Sequence, residues 1–182
     1  MARVPYVMRD ELDAEGQEIY DRIRHDRNRP EVGLQYQALL HNPKATGYLA
    51  SLGAQLSSQS TLPENLKELA VILVAREWNS TIEWTGHAPL ATRAGVSPAS
   101  VEAIRTRKAP AGLTEQEQII ARFVHQLLRQ KEVFDDVFAA AQTLLGTQGV
   151  VDLTFTCIFF TSLSLGQIAL KPEIRPGKVS TL

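Results

Sequence analysis

Residues 66–95 read LKELAVILVAREWNSTIEWTGHAPLATRAG, and the rest of the chain is read outward from them. The first part of this stretch carries Leu66, Leu69, Ala70, Val71, Ile72, Leu73, Val74 and Ala75. Apolar residues on every side of a helix mean burial on every side. Glu68 interrupts that run. Ser80 follows twelve residues later, Glu83 three further on, and His87 four beyond that. On a helix, Glu83 and His87 share one face. A carboxyl group in apolar surroundings, together with a Glu–His pair, is what proton-transfer chemistry needs.

Helix start signals surround this core. Thr61-Leu62-Pro63-Glu64 and Ser80-Thr81-Ile82-Glu83 both have capping-box spacing, which predicts helices over 64–78 and from 81 onward. Pro89 is expected to bend or end the second of these, and Gly95 to stop it. Upstream, Asp13 can cap a helix whose apolar face is Ile19, Tyr20 and Ile23. A polar loop over 25–34 leads to a short helix over 34–40. Asn42-Pro43 opens another helix that runs to about Ser57.

Downstream, Ser97-Pro98 opens a short helix ending near Arg107, and residues 108–113 form a Pro/Gly loop. Thr114-Glu115-Gln116-Glu117 is a further capping box. The helix behind it places Ile119, Ile120, Phe123, Val124, Leu127 and Leu128 on one face. Gly146 separates a helix over 137–145 from one over 148–170. Residues 1–9 and 171–182 read as an extended arm and tail. No strand pair, glycine-rich phosphate loop or repeat of fixed period is visible. The fold class is all-α, in one domain over 1–182.

Composition narrows the function. The chain has 182 residues, 44% of them hydrophobic, and a net charge of −1 with no block of like charge. Nucleic acid and anionic membrane are poor partners for such a chain. The first residues lack the apolar stretch of a signal peptide, so a cytoplasmic protein is expected. Residues 150–170 are apolar but contain Asp152, three Thr and two Ser, which argues against a lipid span. The width of that apolar helix suits a subunit interface in a homo-oligomer. One cysteine, Cys157, allows no intramolecular disulfide and no cysteine zinc site.

The candidate catalytic residues are Glu68, Glu83 and His87. Desolvation disfavours the Glu68 anion, which suits a general acid or base. The structural alternative is a helix glutamate that reaches solvent or an arginine. Ser80 and Glu83 can equally be a helix cap. His87 can exchange a proton with Glu83 or have its tautomer set by it. Arg76 can grip a substrate carboxylate by a two-point hydrogen bond, or pair with Glu68 or Glu83. Trp78 and Trp84 can line a pocket or simply pack. Arg76, Ser80 and Trp84 are the candidate substrate-binding residues. No metal site is assigned, because no second His stands near.

The pattern Glu68 … Ser80-x-x-Glu83-x-x-x-His87, continuing Ala88-Pro89-Leu90-Ala91 and Ala94-Gly95-Val96-Ser97, resembles the carboxymuconolactone decarboxylase and alkylhydroperoxidase-D (AhpD-like) superfamily. The peroxidase branch has a Glu, a C-x-x-C twelve residues on, and a His four beyond the second Cys. Here Ser80 and Glu83 stand at the two cysteine positions. Disulfide-based peroxide reduction needs a thiolate and a resolving thiol, so it is not expected. The string Arg76-Glu77-Trp78-Asn79 with Glu83-Trp84 resembles the cysteine-free, decarboxylase-like branch.

That resemblance implies an all-helical domain assembled as trimers or hexamers, with active sites near subunit contacts. It implies decarboxylation of a small carboxylated lactone such as 4-carboxymuconolactone, in aromatic catabolism, with no cofactor. A lactone hydrolase or isomerase on the same scaffold and a non-enzymatic oligomeric binding protein are the alternatives.

Overall fold

The architecture was determined as a computed structural model, which describes residues 1–110 and 112–182. Eight α-helices are described: α1 (Ala14–Asp26), α2 (Leu34–Leu39), α3 (Pro43–Gln59), α4 (Glu64–Glu77), α5 (Thr81–Ala94), α6 (Pro98–Arg105), α7 (Glu115–His125) and α8 (Asp135–Leu170). A 3-10 turn precedes α1 and a π turn follows α7. Among the described residues there is no strand, so the all-α expectation holds. Of the predicted loop 108–113, Ala111 lies outside the described residues.

The chain divides into two compact units. The first comprises residues 1–59 and 165–178. Asp13 caps α1 by accepting a hydrogen bond from the Gly16 amide, as its position predicts. Ile19, Tyr20 and Ile23 are buried on one face, and α1 packs on α3. Asn42 Oδ1 accepts from the Ala45 amide at the start of α3. The N-terminal arm is tied down by the Arg3 amide, which donates to the Leu170 carbonyl at 2.8 Å.

The second unit comprises residues 60–164 and 179–182. Its centre is α4, which packs on α5 and α7. Leu66, Leu69, Ile72 and Val74 are almost wholly buried. Each such side chain contributes roughly 1.5–3 kcal/mol. Thr114 and Glu117 form the predicted capping box of α7. Gly95, at φ 112°, closes α5 in the left-handed conformation that glycine adopts without strain. Gly146, at φ 71° and ψ 172°, breaks the helical geometry of α8 where the break was predicted.

Two local expectations are corrected, and a third is narrowed. Thr61 and Glu64 form no capping box: α4 starts at Glu64 behind Pro63, with no side-chain cap. Instead the Thr61 amide and hydroxyl both donate to Asp152 of α8, at 2.7 and 2.8 Å. Ser80 is the N-cap residue of α5, but its side chain makes no cap hydrogen bond. Pro89 does not end α5, which continues to Ala94. The buried Ala88 and Ala91 on either side of Pro89 keep the same helix in the core.

α8 is long and apolar enough, by length and composition, to cross a membrane. In this fold its Leu153, Cys157, Phe159 and Phe160 are buried.

Candidate active site

Glu68 lies in the second turn of α4, behind the Lys67–Glu64 ion pair and at the start of the buried aliphatic run Leu69–Ala75. It is 4% exposed. A carboxyl group held there needs a polar partner, because a buried polar group left unpaired costs about 1–3 kcal/mol. His87 of α5 supplies one: Nδ1 lies 2.8 Å from Glu68 Oε2. Glu83, one turn before His87 on α5, is also buried, with its Oε2 3.8 Å from the other ring nitrogen, Nε2. That is ion-pair range and beyond a hydrogen bond. One imidazole therefore stands between two buried carboxyl groups, one from each of two packed helices.

The exposures of the three side chains differ. Those of Glu68 and Glu83 are 5% and 6% exposed, and that of His87 is 23% exposed. The ring is the member of the group that meets solvent. With Glu68 ionised and the ring neutral, Nδ1 carries the hydrogen and donates it to the carboxylate, and the Nε2 lone pair faces Glu83; with the ring protonated, both nitrogens donate. Moving one proton across the ring reverses that polarity. The arrangement can hold and relay a proton.

Phe160 of α8 packs edge-on against the His87 ring, with centroids 4.9 Å apart and planes at 81°. Phe159 packs on Phe160 in the same way. These aromatics restrict ring rotation and supply the apolar wall. The sequence did not single them out: Phe160 lies 73 positions from His87, in a run where every apolar residue carries the same signal.

The candidate substrate-binding residues are placed as follows. Ser80 is buried at the start of α5, one turn before Glu83. Trp84 is fully buried, and its indole Nε1 donates to Thr181 Oγ1 at 3.1 Å, so the chain's last residues fasten to α5 beside Glu83. Trp78 Nε1 donates to Thr161 Oγ1 at 3.2 Å.

Arg76 is not brought to the Glu68–His87 pair, and neither Glu68 nor Glu83 is its partner. Its Nε donates to the Arg105 carbonyl at 2.7 Å and its Nη1 to Asn79 Oδ1. Burial first, and the Arg107 charge next, lower its pKa. Cys157 is buried in α8, and burial pushes its thiol up to about 12, so it holds no thiolate near neutral pH.

No protein-family model matches the sequence, and no curated protein matches it. Solved structures do match in three dimensions. One is the alkylhydroperoxidase AhpD core of an uncharacterized peroxidase-related protein from Ralstonia eutropha JMP134. The TM-score is 0.77 at 13% sequence identity, over 96% of this chain and 93% of that one. Another is the debrominase Bmp8 in its apo form, with a TM-score of 0.73 at 12% identity, over 96% of this chain and 92% of that one. The chain has the AhpD-core fold that the spacing of Glu68, Ser80, Glu83 and His87 suggests.

Proposed function

We propose that this protein is an acid–base enzyme in which Glu68, His87 and Glu83 transfer the proton, and that its reaction is the decarboxylation of a small carboxylated lactone. The single observation that carries the reading is the 2.8 Å approach of His87 Nδ1 to the buried Glu68 carboxyl. The Glu68 end of the pair is buried and the His87 end reaches solvent, so a proton can be held at the one and resupplied at the other. The likeness in fold to a debrominase supports a scaffold that carries enzymatic chemistry. A thiol route is disfavoured, because the lone cysteine is buried and protonated.

In a carboxylated lactone with a conjugated carbonyl, the bond from carbon to the carboxylate breaks and carbon dioxide leaves. The electron pair passes into the conjugated system as a dienolate. The proton held by the Glu68–His87–Glu83 group is then placed on carbon. His87, the part in contact with solvent, recovers a proton from water and restores the starting state. The reaction consumes one proton and releases one carbon dioxide for each substrate anion.

The test is turnover of a panel of carboxylated lactones, read as carbon dioxide release and by product structure. Lactone ring opening without carbon dioxide would favour a hydrolase on the same residues, and double-bond migration an isomerase. Loss of a general acid typically costs 10²–10⁴-fold in rate. His87→Ala and Glu68→Gln should each lose about that much kcat while the helical signal persists. Full activity in both variants would overturn the assignment and leave the group as a buried structural pair.

A further inference from the structure

A cavity of about 140 Å³ lies at the C-terminal end of α4, far more space than one water needs. It is lined by Arg76 and Glu77 of α4, by Arg107 and Lys108 after α6, by His125 at the end of α7 and by Arg129 in the π turn behind it. Arg76 follows Glu68 by eight residues, or ~12 Å along the helix at 1.5 Å per residue. This cavity is therefore not the Glu68–His87 site.

Its charge is unbalanced. Arg76, Arg107, Lys108 and Arg129 are four cations, and Glu77 is the one carboxylate among the lining residues. Glu77 is already engaged, its Oε2 accepting from Arg129 Nε at 2.7 Å. Arg76 and Arg107 are held instead by neutral acceptors. Arg76 donates to the Arg105 carbonyl, and Arg107 Nη2 to the Arg76 carbonyl and to Asn79 Oδ1, each at 3.2 Å. Asn79 thus receives both guanidinium groups. Carbonyls at the ends of α4 and α6 account for where these arginines are anchored. They do not neutralise them.

The other titratable groups nearby do not correct the balance. Glu102 of α6 is taken by Arg105 through two hydrogen bonds of 2.7 Å. His125 has its pKa lowered by burial and then by Arg129, so it is neutral at pH 7. Three net positive charges face a partly enclosed space. Two planar guanidinium groups and an ammonium suit a doubly charged oxyanion, which can take paired N–H donors in its own plane.

We propose that this cavity binds a small free dianion, a phosphate group or a dicarboxylate, at a site separate from the proton-transfer group. Arg107 and Lys108 provide the exposed arms and Arg76 the inner wall. The ligand relieves the repulsion among the cations and binds only the folded chain, so it stabilises that state by RT ln(1 + [L]/Kd) and Tm rises with ligand concentration.

The experiment titrates the full-length protein with inorganic phosphate and, separately, with succinate, by calorimetry and thermal melting at constant ionic strength. Three variants are compared. Arg107→Asn removes a guanidinium at a position with φ 58°, where asparagine is tolerated. Lys108→Ala removes the ammonium. Arg93→Gln removes an exposed cation on α5 away from the cavity. Saturable binding of at least one probe is expected, with a rise in Tm. Affinity should fall at least tenfold in Arg107→Asn and in Lys108→Ala and stay unchanged in Arg93→Gln. The probe with the higher affinity identifies the phosphate or dicarboxylate class. Absence of saturable binding by either probe up to about 10 mM, or equal weakening in Arg93→Gln through general loss of charge, would overturn the proposal. So would binding that survives both cavity variants. If Arg107→Asn unfolds, Lys108→Ala decides alone, because Lys108 is exposed and its removal leaves the helix ends intact.

Discussion

His87 Nδ1 stands 2.8 Å from Glu68 Oε2, and Glu83 Oε2 stands 3.8 Å from the opposite edge of the same ring. A ring between two carboxyl groups couples them, so mutations at the three positions should not add. His87→Ala and Glu68→Gln should each lower kcat by 10²–10⁴, or ~3–5 kcal/mol of barrier. The double variant should lose little more than the worse single, because the residues act as one unit. Steady-state kinetics of the cycle checks this. Strictly additive losses would mean that Glu68 and His87 act on separate steps.

That relationship was largely legible in the sequence, and the reasons are local. Glu83 and His87 are four apart on one helix, and their shared face follows from helix geometry alone. Glu68 showed itself as the carboxylate in a run that had to be buried. Arg76 was harder to place. Its acceptors are Asn79 and the Arg105 carbonyl, the latter 29 residues away, and no spacing rule reaches that far. Capping boxes show the same limit. Thr114–Glu117 and Ser80–Glu83 have identical spacing, yet the box forms at the first and no side-chain cap forms at the second. Glu83 is turned into the core beside His87, and a four-residue pattern carries no information about that tertiary competitor.

Cys157 gives a prediction with a defined sign. Its folded pKa is about 12 because burial penalises the thiolate. In the unfolded chain it titrates near its ordinary value of ~8.5. The folded protein therefore keeps a proton that the unfolded chain releases. This group's contribution to stability is complete below the unfolded pKa and is lost as pH rises toward 12, at up to ~1.4 kcal/mol per pH unit. Native protein at pH 8 should react with a thiol reagent only at the rate of unfolding. Cys157→Ala should flatten the loss of Tm between pH 9 and 11. Rapid stoichiometric labelling of the native protein would contradict the burial argument.

His125 should act in the opposite direction. Burial and Arg129 lower its pKa, so the folded state resists a proton that the unfolded chain accepts below about 6.5. Stability from this group is present above the unfolded pKa and is lost as pH falls through the folded one. His125→Gln should make Tm less dependent on pH between 7 and 5, measured by thermal melting at fixed ionic strength. An unchanged acid slope would place the dependence on other groups.

Association is the next expectation. Val151, Phe155 and Ile158 are 46%, 43% and 48% exposed at i, i+4 and i+7 on α8. Three large apolar side chains on one face of one helix form a patch suited to another apolar surface. Light scattering at micromolar concentration is expected to give a multiple of the 20.1 kDa chain mass. Ile158→Glu should lower that mass without loss of helical signal. A wild-type monomer would remove this expectation.

The joint between Asp152 and Thr61 tests how α4 is started without a side-chain cap. Asp152 Oδ2 accepts from both the Thr61 amide and the Thr61 hydroxyl, at 2.7 and 2.8 Å. It fixes the approach to α4 from α8, across 91 positions of sequence. Hydrogen bonds to a charged acceptor are worth about 1.5–3 kcal/mol in favourable settings, and less where water competes. Asp152→Ala removes both bonds and should cost about 1–2 kcal/mol. Thr61→Val keeps the amide bond and should cost about half as much. For a chain of this length, each kcal/mol lowers Tm by roughly 2–4 °C. The order of the two melting temperatures is the decisive reading, because a capping box at Thr61 would give the reverse. Thr61→Val would then lose the whole cap, and Asp152→Ala would change little.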